Sequence, residues 1–213
     1  MEIVEHLPDL SELERSRLDD AIPEWHGEVK SLLPSLTEQL QVEFDNNYLI
    51  SDYGVGGFAS SRTKIKLAFD PGFTGNKEKQ LRDLRGSYFH ECYHIIQGFV
   101  GDESEGEISA IDDAIFEGAA TRFESLRADT TPGWGEYPDR ETVMSWFKDV
   151  TGLPTGYDWN KWKFYDPETG NRWVLYRVGV FVVDEALQKN PKLTIEDLAT
   201  KSPSEILKLA ELT

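Results

Sequence analysis

The most constraining stretch of this sequence runs from Tyr88 to Phe99 and contains His90-Glu91-Cys92-Tyr93-His94. Residues four apart on an α-helix share a face. If this stretch is helical, His90 and His94 present two imidazoles side by side, spaced for one metal ion. Glu91 is one step round, able to reach a water on that ion but not to be a ligand. Two nitrogen ligands and a general base on one turn are what a zinc hydrolase needs. Cys92 lies about 200° round the helix from His90 and reads as a small core residue. The helix itself is predicted from about Lys77 to Phe99. Asn76 serves as its N-cap, and Gly98 and Gly101 as its stop. Gly86 inside it is tolerated at some cost. Phe89, Ile95, Ile96 and Phe99 supply the buried side that holds a ligand-bearing helix rigid.

A catalytic zinc wants a third protein ligand and an open position. The next predicted helix, from about Glu107 to Ala128, offers Glu117 within Ile115-Phe116-Glu117-Gly118-Ala119-Ala120. A carboxylate among small and apolar residues needs a partner, and a metal ion would be one. Gly118 and Ala119 permit close helix approach. The segment 95–116 is long enough for a turn and an antiparallel return. Asp113, one turn before Glu117, can orient a ligand histidine through its second ring nitrogen, or lie on a solvated face with Asp112.

Around this pair of helices the chain reads as α+β, with a small twisted sheet, mostly N-terminal, packed on the active-site helix and a mainly helical C-terminal part. Residues 9–20 and 23–40 read as two helices, the second broken near Pro34. Three β-like runs follow at Val42–Ile50, Tyr53–Ser60 and Thr63–Phe69. The last alternates Ile65, Leu67, Phe69 with Lys64, Lys66, Ala68 and ends at the Asp70-Pro71-Gly72 turn. An acidic connector, 101–106, leads into the second helix. Residues 131–172 are rich in tryptophan, glycine and proline around one helix, Arg140–Val150. An apolar helix at 172–189 and two short ones, Ile195–Thr200 and Ser204–Leu212, complete the chain. The division expected is a helical segment, 1–40, before one catalytic domain, 41–213.

Composition removes other classes. The 213 residues carry a net charge of −17, which repels phosphate backbones and anionic membranes, so neither nucleic acid nor membrane is an expected partner. With one cysteine there is no intramolecular disulfide. The N-terminal residues lack the basic and apolar regions of a secretory signal, and no run reaches the length of a membrane span. A cytoplasmic protein is the resulting expectation. Oligomeric state is not encoded in any feature found.

His90, Glu91 and His94 followed by Glu117-Gly118-x-Ala120 resemble the gluzincins, zinc metallopeptidases with two histidine ligands and one glutamate. The small size and the Tyr176-Arg177-x-Gly179 helix look closest to small predicted zinc-dependent protease families and to minimal gluzincins. The resemblance covers roughly residues 50–212. It implies a zincin-like fold, one Zn2+ per chain, and a peptide or protein substrate added as an extra strand beside Gly57, Phe58 and Ala59, or beside 63–69. Aminopeptidases of the group carry a glutamate in this segment. Gly56-Gly57-Phe58-Ala59-Ser60 lacks it, which favours an endopeptidase. The resemblance also implies a downstream group for the oxyanion. No histidine follows His94, so Tyr176 is the candidate, with Arg177, Tyr157 and Tyr165 as alternatives and a core role for Tyr176 still open. The rival to catalysis is a zinc-binding regulatory or interaction module on the same scaffold. A further rival is a metal-free interaction domain using 131–172.

Overall fold

A computed structural model describes residues 1–5, 9–101 and 108–212. The chain divides into two compact units, Met1–Glu103 with Leu126–Thr130, and Ser104–Ser125 with Thr131–Thr213. The architecture is α+β: a small N-terminal four-stranded sheet and, among the described residues, eight α-helices, mostly C-terminal.

The first unit holds β1 (Glu2–Glu5), α1 (Glu12–Leu32), β2 (Gln41–Phe44), β3 (Val55–Ser61), β4 (Lys64–Phe69) and α2 (Lys77–Gln97). The strand order is β1-β2-β4-β3, with β3 antiparallel to β4 and the other neighbours parallel. The alternation read in β4 is the alternation observed: Ile65, Leu67 and Phe69 are buried while Lys64 and Lys66 reach Glu43 and Asp45. Ala68 is buried too, as befits a strand with neighbours on both edges. β3 closes the sheet as an edge strand. Its glycines are there for close approach, since a Cβ on Gly56 would run into the Tyr48 carbonyl.

Two N-terminal expectations are corrected. Residues 9–20 and 23–40 do not form two helices. α1 is one helix running through Pro23, capped by the reciprocal Ser11–Glu14 pair. An interior proline costs roughly 3 kcal/mol, but Leu18, Ile22, Trp25, His26 and Val29 make one buried stripe across it. Packing of that stripe outweighs the lost hydrogen bond. The helix ends before Pro34, where the residue ahead of a proline is pushed out of helical geometry. Residues 2–5, which fall in the segment expected to be helical, form β1 beside β2. Four residues with two glutamates carry no periodic signal. Main-chain pairing to β2 makes the strand.

α2 begins and ends where its caps require. Asn76 accepts from the amides of Glu78 and Lys79, and Gly98 takes the left-handed conformation at φ 75°. It packs on β3, β4 and α1. Every residue from Gly86 to Ile95 is buried, so the expected one-sided burial is in fact burial all round.

The second unit holds α3 (Ala110–Arg127) as far as Ser125, α4 (Arg140–Thr151), α5 (Trp159–Lys163), α6 (Val174–Lys189), α7 (Ile195–Leu198) and α8 (Pro203–Ala210). The connector expected at 101–106 lies, from Asp102 on, outside the described residues, as does the helix start expected at Glu107. α6 is the axis of this unit, with α4, α5 and α8 packed on it. Gly118 of α3 and Gly179 of α6 bring two backbones together, for a Cβ on either would strike the other helix's main chain. α5, with Asp158 as its N-cap, is short enough to have escaped the sequence pattern. No helix among the described residues is long and apolar enough to cross a membrane.

Candidate metal centre

On α2, His90 is 6%, Glu91 6% and His94 4% exposed. Buried polar groups must be partnered, and the partners identify the chemistry. Nδ1 of His94 lies 2.8 Å from Oε1 of Gln97. A carbonyl oxygen only accepts, so Nδ1 donates there, and in the neutral ring that leaves Nε2 as the lone-pair nitrogen. That Nε2 lies 2.9 Å from Nε2 of His90. Two nitrogens on one tetrahedral zinc sit about 3.3 Å apart, given bonds of about 2.0–2.1 Å. The His90–His94 pair is close to that spacing. Phe99 packs against the His94 ring at 5.0 Å.

Glu91 faces β3. A Cβ added at Gly57 would stand 2.7 Å from Cγ and 2.8 Å from Oε1 of Glu91, so only glycine lets the strand and the carboxylate coexist. Phe58 turns to the other side of the strand and stacks on Tyr48 at 4.7 Å with 5° between the rings, while Ala59 is buried. Cys92 is fully buried, and burial pushes its thiol well above the usual range, so it stays protonated.

On α3, Glu117 is 5% and Asp113 2% exposed. Both point at Lys163, the last residue of α5. Its Nζ lies 2.6 Å from Oε1 of Glu117 and 3.1 Å from Oδ1 of Asp113. Burial opposes the charge on Lys163, but the two carboxylates outweigh it and hold the ammonium above its ordinary value. The other oxygen of Asp113 accepts from the Tyr157 hydroxyl at 2.6 Å. Burial, then the charge of Asp113, keeps that phenol protonated. Asp113 meets Lys163 and Tyr157, while Nδ1 of His94 meets Gln97. Tyr176 is half-buried among Trp134 and Trp173, with the Lys163 ammonium 5.7 Å from its ring. Arg177 donates to the Gly133 carbonyl, and Tyr165 is exposed.

Among the described residues, one group could hold a metal ion: His90, His94 and Glu117, whose ligand atoms all lie within 4.8 Å of one another. Two imidazoles and one carboxylate, all buried, are a donor set that suits zinc.

The sequence profile of one family, described as predicted Zn-dependent protease (DUF2268), matches residues 37–208. The chain belongs to this family. The match spans both the strand–helix half with the histidines and the helical part with Glu117 and Lys163. Comparison with curated proteins and with solved structures matched nothing. The family's description suggests a zinc-dependent hydrolase, and the buried His/His/Glu group is compatible with zinc binding.

Sequence reasoning missed two members of the site. Gln97 is three residues after His94 on the same helix face and was legible from that spacing. Lys163 was not. In Trp159-Asn160-Lys161-Trp162-Lys163 nothing marks one lysine as buried and the other as exposed to solvent on one side.

Proposed function

We propose that this member of the predicted Zn-dependent protease family is a gluzincin-type peptide hydrolase, acting as an endopeptidase, with one zinc per chain. The observation that carries the reading is the buried group His90, His94 and Glu117, with ligand atoms within 4.8 Å, next to a glutamate one residue from the first histidine. His90, His94 and Glu117 would hold the ion. Bound zinc supplies Lewis acidity and lowers the pKa of its water towards neutrality. Glu91 takes a proton from the attacking water and delivers it to the leaving amine. Its carboxylate is confined by the Gly57 backbone, which limits the positions it can adopt. The edge strand β3, at Gly57, Phe58 and Ala59, receives an extended peptide by main-chain pairing. That places the substrate backbone beside Glu91. Tyr176 is the proposed donor to the developing oxyanion.

The test is elemental analysis beside a quenched-fluorescent peptide library. The reading expects about one zinc per wild-type chain, less in Glu117→Ala, and a wild-type zinc content without turnover in Glu91→Gln. Zinc-free wild type, or a Glu91→Gln variant as active as wild type, would overturn it.

A further inference from the structure

We propose that Lys163 is a positioning residue for Glu117: its ammonium pins one carboxylate oxygen and so fixes which oxygen faces the metal. The proposal rests on the metal-site reading above. Lysine is almost never fully buried unless paired, and Lys163 is 5% exposed. Its pairing is doubled, with Nζ 2.6 Å from Glu117 and 3.1 Å from Asp113. Asp113 is itself held by the Tyr157 hydroxyl at 2.6 Å. The aromatic ring of Trp159 covers the ammonium at 4.8 Å and that of Tyr176 at 5.7 Å. The result is a chain, Tyr157–Asp113–Lys163–Glu117, in which every link is a charge-assisted hydrogen bond.

A glutamate has three side-chain torsions, and a carboxylate can bind a metal through one oxygen or two. A donor 2.6 Å from Oε1 removes much of that freedom. Partners behind a ligand are what orient it. Here the partner is a cation, so Lys163 also balances a second buried carboxylate, Asp113, that no ligand role explains. A merely structural ion pair between α3 and α5 would hold the fold without changing how Glu117 meets a metal.

Cobalt(II) in place of zinc gives a visible spectrum that reports the ligand set without any substrate. Wild type, Glu117→Gln, Lys163→Met and Lys163→Arg are loaded with cobalt, and the double variant Asp113→Asn/Lys163→Met is added. The double variant removes one charge of each sign, so it preserves the charge balance if the single one fails to fold. The expected result is a changed band position and intensity in Lys163→Met and in the double variant, with Lys163→Arg returned towards wild type. A double variant whose spectrum superimposes on wild type overturns the proposal. If Glu117→Gln alters the spectrum and removal of Lys163 does not, only this proposal falls. If wild type takes up no cobalt, the metal reading falls with it.

Discussion

The histidine side of the centre and the carboxylate side are held by different physics. His90 and His94 are imidazoles on one helix, and Nδ1 of His94 is met by a side-chain amide three residues away. Glu117 is a buried charge. It is held by Lys163, and Lys163 by Asp113, and Asp113 by Tyr157. A neutral ligand can be buried on local terms, because burying a hydrogen-bonded polar group costs little. A charged one brings a counter-ion with it. The short motif therefore sits on the histidine side, and the long-range network on the other.

The sharpest way to separate the two sides is chemical. Glu91→Gln keeps the shape of the histidine side and removes its proton acceptor. Turnover should fall by about 10²–10⁴-fold while metal content and melting temperature stay at wild type. A parallel loss of metal would mean that Glu91 supports the ligands, and the two sides would be less distinct than drawn here.

The next effect tests how each side achieves close approach. Gly179→Ala places a methyl against the Ala114 carbonyl, main chain on main chain, where neither can yield. We expect a loss of about 3 kcal/mol or more in urea unfolding. Gly57→Ala meets the Glu91 side chain at 2.7 Å, and a side chain can swing. It should cost only about 1 kcal/mol of stability, yet lower turnover through the displaced carboxylate. Equal destabilisation by the two variants would erase this contrast.

A smaller change probes the neutral brace. Gln97→Leu removes the partner of His94 Nδ1. Metal affinity, measured by chelator competition, should drop by about 10–100-fold, with the fold intact. Affinity equal to wild type would show that Gln97 does not hold the ring for the metal.

What could be read from sequence follows the same division. α2 with its two caps, the alternation of β4 and the pairing of His90 with His94 are all local patterns, and each is present in the structure. The grouping of Glu117 with the histidines was inferred from an odd carboxylate among small residues, a signal of burial rather than of partner. Lys163 carries no such mark, because its burial is set by where α5 packs on α6. β1 and the unbroken α1 were missed for a related reason. A main-chain ladder and a stripe of packing decide them, and both overrule the local preferences of Glu2–Glu5 and Pro23.

The smallest predicted effect concerns a buried imidazole outside the centre. His26 of α1 is 7% exposed, with Nδ1 2.8 Å from the Tyr88 hydroxyl of α2 and, among the described residues, no hydrogen-bond partner for Nε2. Burial, helped by the N-terminal amine and Lys30 and opposed by Glu38, lowers its pKa below the ordinary value. The unfolded chain then binds a proton that the folded chain refuses. Stability from this group is complete above the unfolded value of about 6.5 and is lost as the pH falls below it, with a slope of at most about 1.4 kcal/mol per pH unit. Melting temperatures taken between pH 8 and pH 5 should fall towards acid in wild type and fall less in His26→Gln. If the two profiles run parallel, the proton is taken up elsewhere, and the contact between α1 and α2 does not depend on a neutral ring.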